Sequence, residues 1–125
     1  MIFDSLYFQN GVIGSAMKAA VFRNEIISNN IANADTPGFK KSRVEFEGSL
    51  QTALDNAGRT GVKDLSGVSI RAVIMDDSFD YRVDESNVDM ETEMASLYKN
   101  AATYDALASM IMNNGRRFNL IFAGR

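Results

Sequence analysis

The chain has 125 residues, of which 46% are hydrophobic, and a formal net charge of -3 from 13 basic and 16 acidic residues. This is the length of one ordinary domain, and the acidic balance argues against a nucleic-acid partner because phosphate binding needs clustered Lys and Arg. The chain has no Cys and no His, which excludes disulfides, Cys–His zinc sites, a thiol nucleophile and the commonest general base.

The first predicted element is a long helix from about Phe3 to Asn33. Its apolar residues recur at alternating intervals of three and four, the spacing of a helix that packs against other helices. The positions on this stripe are Phe3, Leu6, Asn10, Ile13, Met17, Ala20, Asn24, Ile27 and Ile31. Because Gly11 and Gly14 each cost roughly 1 kcal/mol relative to Ala, we expect the helix to be firm only from about Ser15.

A turn is predicted after this helix. Pro37 is expected to end the helix because its ring removes a backbone donor, and Gly38 permits a positive φ. The helix end is rich in asparagine, with Asn29, Asn30 and Asn33. These side chains either cap the helix and bind the following backbone or make lateral contacts between helices. We favour lateral contacts because several Asn residues are costly within a helix.

The middle of the chain is predicted to hold short elements. Residues 44–54 are consistent with a short helix that has Phe46, Leu50 and Leu54 on one side. Residues 56–67 are rich in Gly and polar side chains, which predicts a mobile loop.

A β-hairpin is predicted next. Apolar residues alternate with their neighbours in 68–74 and again in 79–83, and a polar link joins the two runs. Because a single hairpin is unstable alone, it must lie on the helices or on a partner.

A second long helix is predicted from about Met90 to Phe122. Its stripe repeats the alternation of three and four residues, at Met90, Met94, Leu97, Ala101, Tyr104, Ala108, Ile111, Gly115, Phe118 and Phe122. Asn87 or Asp89 is the expected N-cap, and Glu91 and Glu93 fall in the first turns, where the helix dipole favours acids.

These elements predict a mainly α fold in which long N- and C-terminal helices pack as a coiled coil, with a short loop and β-hairpin middle segment. The expected regions are a first helix at residues 1–34, a corner, loop and hairpin at 35–86, and a second helix at 87–125. The positions predicted to form the helix-packing seam are Ile13, Met17, Ala20, Ile27, Met94, Leu97, Ala101, Tyr104, Ile111 and Phe118.

Periodicity alone does not decide whether the two helices pack within one chain or between chains. We favour packing between chains because the stripes lie at opposite ends of the chain and the middle is too short to cover both. Aromatic residues near the first stripe add apolar surface of the kind that marks interaction sites. They are Phe3, Tyr7, Phe8 and Phe22.

The acidic residues are concentrated between Asp76 and Glu93, where eight acids accompany only Arg82. Their spacing does not match a calcium-binding EF-hand loop, and a glycosidase pair needs one acid whose pKa is raised by burial. We favour a solvated polar turn because acids are rarely buried. The serines have no His to activate them, so no catalytic or metal-binding residue is predicted.

The N-terminal residues lack the basic and apolar regions of a secretory signal peptide. No apolar run is long enough for a membrane-spanning helix, which needs about 18 residues or more. If the protein leaves the cytoplasm, we therefore expect it to do so without that signal.

Two motifs carry a resemblance. The first is Ile26-Ile27-Ser28-Asn29-Asn30-Ile31-Ala32-Asn33-Ala34-Asp35-Thr36-Pro37-Gly38-Phe39-Lys40, with Arg23 before it. The second is Asn87-Val88-Asp89-Met90-Glu91, followed by Glu93-Met94, Asn100 and Tyr104. Together they resemble the terminal signatures of the bacterial flagellar basal-body rod protein family, and the short chain is most similar to its proximal rod members. The assembly motif that the resemblance implies is Arg23, Asn29, Asn30, Ile31, Asn33, Asp35, Thr36, Pro37, Gly38 and Phe39.

The resemblance implies a structural subunit of the flagellar basal-body rod, in the periplasmic space, that self-assembles through its terminal helices. Such a subunit transmits torque and encloses the export channel, and the flagellar type III apparatus exports it without a cleaved signal peptide. The implied partners are further copies, FlgC-like and FliE-like rod proteins and the export apparatus, with no nucleic acid, small-molecule substrate or cofactor. The alternatives are a stand-alone coiled-coil adapter, another flagellar axial protein and, less favoured, a small peptidoglycan hydrolase.

Overall fold

The computed structural model describes residues 2–76 and 83–124. In chain order its elements are helix α1 (Ile2–Ala32), strand β1 (Ser42–Glu45), helix α2 (Glu47–Thr60), strand β2 (Arg71–Ile74) and helix α3 (Met90–Ala123). None of the helices within these ranges is long and apolar enough to cross a bilayer.

Helices α1 and α3 pack against each other as an antiparallel hairpin. The Asn100 side chain donates to the backbone carbonyl oxygen of Ala20 over 2.7 Å, and the Asn114 side chain donates to the side-chain oxygen of Asn10 over 2.9 Å. As residue numbers increase along α1, the numbers of the α3 residues in contact with them therefore decrease. The predicted mainly α fold with packed terminal helices is confirmed, and the helices of one chain pair with each other.

Helix α1 buries a stripe against α3 that repeats every seven residues, at Leu6, Ile13, Ala20 and Ile27. Burial of each Leu or Ile side chain contributes roughly 1.5–3 kcal/mol. The helix is continuous through Gly11, where an added Cβ would lie 2.9 Å from the Leu65 side chain. The glycine thus lets the loop after α2 approach the helix closely, and packing offsets its low helix propensity.

The middle segment differs from the prediction in its strand pairing. Strand β2 lies within the predicted run 68–74, but within residues 2–76 and 83–124 it pairs antiparallel with β1, Ser42 facing Ile74 and Glu45 facing Arg71. Its predicted partner, 79–83, lies outside the described residues except for Val83. Alternating apolar residues identify a strand, but they do not identify its partner.

The boundaries of α2 also correct the prediction. The short helix expected in residues 44–54 begins only at Glu47, because Val44 belongs to β1, and it continues to Thr60 into the expected loop. Gly61, in the left-handed region at φ 73°, ends the helix by donating its backbone N–H to Ala57. The polar composition of 56–60 therefore belongs to an exposed helical turn.

Candidate assembly site

The corner after α1 and the segment before α3 are bound together. The backbone N–H of Gly38 donates to the carbonyl oxygen of Asp84 over 2.8 Å, and that of Asn87 donates to Phe39 over 3.4 Å. The Lys40 ammonium donates to the carbonyl oxygen of Glu85 over 2.8 Å. The two motifs, which lie far apart in sequence, form one structural unit at the closed end of the hairpin.

Asn30 is the centre of this unit and is only 1% exposed. Its side-chain N–H donates to the carbonyl oxygen of Ser42 over 2.8 Å, and its oxygen accepts from the Ser42 backbone N–H over 3.0 Å. One amide thus makes the pair of hydrogen bonds that a neighbouring strand would make. It holds β1 on the end of α1.

Asn87 plays a corresponding part on the other side of the strands. Its oxygen accepts from the Lys41 backbone N–H over 2.7 Å, and its side-chain N–H donates to the carbonyl oxygen of Met75 over 2.8 Å. Asn87 was predicted as one of two possible N-caps of α3. The structure assigns the cap to Asp89, which accepts from the backbone N–H of Glu91 over 3.1 Å.

Glu93 closes the unit from α3. The residue is only 6% exposed. Its carboxylate accepts a hydrogen bond from the Asn30 side chain over 3.2 Å and lies 3.8 Å from the Lys41 ammonium. A buried charge is tolerated only with such partners. Glu93 lies in the first turn of α3, as predicted, but its burial against α1 was not predicted.

The remaining corner residues are held locally. Asn33 donates to the carbonyl oxygen of Asn29 over 2.8 Å and accepts from the Thr36 hydroxyl over 3.3 Å. Helix α1 ends at Ala32, before Pro37 is reached, and Gly38 adopts φ 71°. These bonds match the capping interpretation of Asn33. Lateral contact through the exposed Asn29 stays a prediction.

Arg23 anchors the other end of the middle segment to α1. Its guanidinium donates to the Glu47 carboxylate over 2.7 Å and to the carbonyl oxygen of Val44 over 3.4 Å. Burial opposes ionisation of Glu47, but hydrogen bonds from its own backbone and from Arg23 hold its pKa below the ordinary value. The pair therefore fixes where β1 passes into α2.

The predicted seam positions fall into three groups. Buried residues are Ile13, Ala20 and Ile27, and half-buried residues are Met17, Met94, Leu97, Ile111 and Phe118. Ala101 and Tyr104 are exposed. Of the assembly motif, Ile31 and Phe39 are half-buried, whereas Asp35, Thr36 and Pro37 are exposed.

Polar residues of α3 that face α1 were not predicted. Glu93 and Asn100 are buried, Asn114 contacts Asn10, and all three belong to one seven-residue series with Leu107. The predicted α3 stripe left out this polar series, although Met94, Leu97, Ile111 and Phe118 on that stripe are half-buried. A polar residue that recurs at a seven-residue interval is the signal that could have identified them.

The open end of the hairpin is aromatic. The ring centroids of Phe3 and Phe118 are 5.8 Å apart, and those of Phe118 and Phe122 are 4.8 Å apart. Tyr7 remains 67% exposed and Leu120 70% exposed. An exposed apolar end of this kind is typical of a protein interaction site.

The described acids of the run that was singled out in the sequence do not converge. Asp76 and Glu85 are exposed and Asp84 is half-buried, while Asp77 and Asp80 lie outside the described residues. Within the part of the chain that the structure describes, no group of three or more Asp and Glu side chains is arranged to hold a metal ion.

Comparison with known proteins agrees with these motifs. The model of the family described as flagella basal body rod protein matches residues 12–40, which include most of α1 and the corner. The flagellar basal body rod protein FlgB of Proteus mirabilis is 34% identical over 127 residues, covering 86% of this chain and 85% of that protein. The FlgB proteins of Bacillus subtilis and Borrelia hermsii are 28% and 29% identical, and the alignments cover 88% and 79% of this chain and 89% and 84% of those proteins.

Proposed function

The chain belongs to the FlgB family of flagellar basal body rod proteins, and from this premise we propose that it self-assembles through its terminal helices, transmits torque and encloses the export channel. The observation that carries the proposal is the antiparallel α1–α3 hairpin, bound at one end through Asn30 and Glu93 and apolar at the other. A rod needs a stiff unit that offers surfaces to its neighbours.

The way in which the helices are joined supports the proposed torque transmission. Asn30 on α1 and Lys41 before β1 both contact the carboxylate of Glu93 on α3. A load on one helix therefore passes to the other through buried, charge-assisted contacts, which are stronger than neutral hydrogen bonds. Subunits so joined would turn as rigid bodies.

The proposed location is the rod in the periplasmic space, reached through the flagellar type III export apparatus. The proposed partners are further copies, FlgC-like and FliE-like rod proteins and that apparatus. We assign no catalytic residue, since the chain has neither His nor Cys and the acids that the structure describes do not converge. The stand-alone adapter remains the second candidate because the hairpin buries its own seam within one chain.

A complementation experiment tests the rod function. A non-motile strain that lacks its FlgB gene receives an epitope-tagged copy of this chain, and its basal bodies are purified. We expect restored motility and the tag in the rod. Thr52→Asp, on the exposed side of α2, is the matched control that should behave as the unaltered chain. The proposal is contradicted if the tagged and the untagged chain both fail to restore motility and the chain is absent from basal bodies.

A concentration series separates the adapter from the rod subunit. Light scattering and circular dichroism on the purified chain should show a monomer that gains helix on association. A chain that is fully helical and monomeric at every concentration favours the adapter.

A further inference from the structure

A groove runs between α1 and α3, and the described residues that line it all belong to these two helices. It has a volume of about 260 Å³ and is lined by Ala20, Val21, Asn24, Asn100, Ala101, Tyr104 and Asp105. Val21 is 56% exposed and Tyr104 38% exposed. Small residues on both helices make the groove accessible to another helix.

Asn100, which lines this groove, has a hydrogen-bond acceptor that is unpaired within the described residues. The residue is 5% exposed, and its side-chain N–H is used by the carbonyl oxygen of Ala20. Its side-chain oxygen is buried and has no hydrogen-bond donor among residues 2–76 and 83–124. Leaving a buried acceptor unpaired is costly, so the helix pair is less well satisfied at this groove than at its closed end.

The outer face of α3 has the matching chemistry. Ala95, Lys99, Ala102 and Ala106 are all exposed and follow each other at intervals of four, three and four residues, which places them on one face. Lys99 is the only base between Met90 and Asn114. Within the described residues neither Lys99 nor the Asp105 carboxylate of the groove has an ion-pair partner.

We propose that the groove of one copy receives the outer face of α3 of a second copy, with Lys99 of the second copy reaching Asp105. This inference rests on the proposed rod function and names the surfaces through which copies contact each other. The groove and the outer face are different surfaces of the chain. When two copies make this contact, the groove of one copy and the outer face of the other therefore remain free for further copies. Such a heterologous contact propagates into a ring or a helical array.

Disulfide cross-linking tests the contact directly, because the chain has no Cys of its own. Two differently tagged copies, Val21→Cys in the groove and Ala102→Cys on the outer face, are expressed together in the strain that lacks its FlgB gene. We expect a cross-linked pair carrying both tags in purified basal bodies and none when either variant is expressed alone. Thr52→Cys, exposed on α2, replaces Val21→Cys in the matched control and should give no link to Ala102→Cys.

A charge exchange provides the second test. Lys99→Glu and Asp105→Lys should each lower incorporation into basal bodies on the order of tenfold through like-charge contact, and the double variant should restore it. Both side chains are exposed, so melting curves of the single variants should match that of the unaltered chain.

The outcomes separate this contact from the rod function. If the unaltered chain enters basal bodies but the exchange does not restore incorporation, or the Val21→Cys groove links to another protein, the contact is wrong and the rod function stands. If the unaltered chain is absent from basal bodies, both are wrong.

Discussion

Single side-chain amides hold the middle segment to the two helices. Asn30 binds both polar backbone groups of Ser42, and Asn87 binds the backbone of Lys41 and Met75. Both asparagines are buried, and buried polar groups are normally hydrogen-bonded. The asparagines of the corner therefore stabilise the subunit itself before any contact between subunits is made.

Asn30→Ala should lower the free energy of unfolding by about 1–3 kcal/mol, because it removes the hydrogen-bond partner of both backbone polar groups of the half-buried Ser42. Asn30→Asp should cost more, since it sets a second carboxylate against Glu93, which lies 3.2 Å from the Asn30 nitrogen. Urea denaturation followed by circular dichroism measures both. Asn29→Asp, at the exposed neighbouring position, is the control. An equal loss at Asn29 would contradict the role given to Asn30.

Gly38 is required by its backbone conformation. At φ 71° any other residue except Asn or Asp costs about 1–2 kcal/mol, so Gly38→Ala should lower the free energy of unfolding by that amount. Gly48→Ala is the matched control, because Gly48 lies in α2 with open space around it and Ala favours the helix there. Thermal unfolding of the two variants should therefore shift in opposite directions.

At the scale of elements, the sequence predicts what depends on local spacing. Both long helices and the Asp89 cap follow from residues close in the chain. The pairing of β2 with β1 does not, because the Asn30 amide and the Asn87 amide that hold these strands come from remote segments. The buried Glu93 and Asn100 were missed for the same reason: their partners on α1 lie 63 and 80 residues away.

The cap of α3 makes stability depend on pH. Hydrogen bonds from the Thr92 hydroxyl and the Glu91 backbone N–H hold the pKa of Asp89 below its ordinary value. Since the folded pKa lies below the unfolded one, this stabilisation is present above the ordinary Asp pKa and is lost as pH falls through the folded value.

Asp89→Asn should therefore melt below the unaltered chain at neutral pH, with a gap that narrows as the solution is acidified. Asn also caps helices but does not titrate. Thermal unfolding between neutral pH and pH about 2 measures the gap, since the ordinary Asp pKa of about 3.9 falls within this range. Asp105→Asn, in the middle of α3, is the control. If the difference in melting temperature stayed constant with pH, the carboxylate charge at the cap would have no part in stabilising α3.

The contacts that hold α1 to α3 are distributed unevenly along the hairpin. At the closed end, Asn30, Glu93 and Lys41 connect α1, α3 and the strands through buried contacts. At the open end, within the described residues, contact relies on the aromatic rings and on the exposed Asn10–Asn114 bond. The free subunit should be firm at one end and loose at the other.

Charge in the seam should abolish assembly. Ile27 is 6% exposed, so Ile27→Asp buries an unpaired carboxylate and should unfold the chain or cost at least about 3 kcal/mol. Leu97→Asp acts at a half-buried position and should keep more of the fold while still preventing incorporation. Motility and melting curves of both variants check this, with Thr52→Asp as the exposed control. A motile strain that carries either seam variant would contradict the seam.

Amide hydrogen exchange on the dilute monomer should reveal the uneven binding. Amides near Ile27 and Asn30, and those of α3 from Glu93 to Asn100, should exchange slowly because buried contacts must break before they open. Amides of α1 before Asn10 should exchange fast, because Leu6 is the only buried residue among the described ones there, whereas Ile2 and Tyr7 are exposed, and a helix with little tertiary contact is marginal. The same open-end amides should become protected in assembled basal bodies, since neighbouring subunits then cover Tyr7 and the other exposed rings. Uniformly slow exchange along α1 in the monomer would mean that the hairpin is rigid before assembly, and protection would then report nothing about neighbouring subunits.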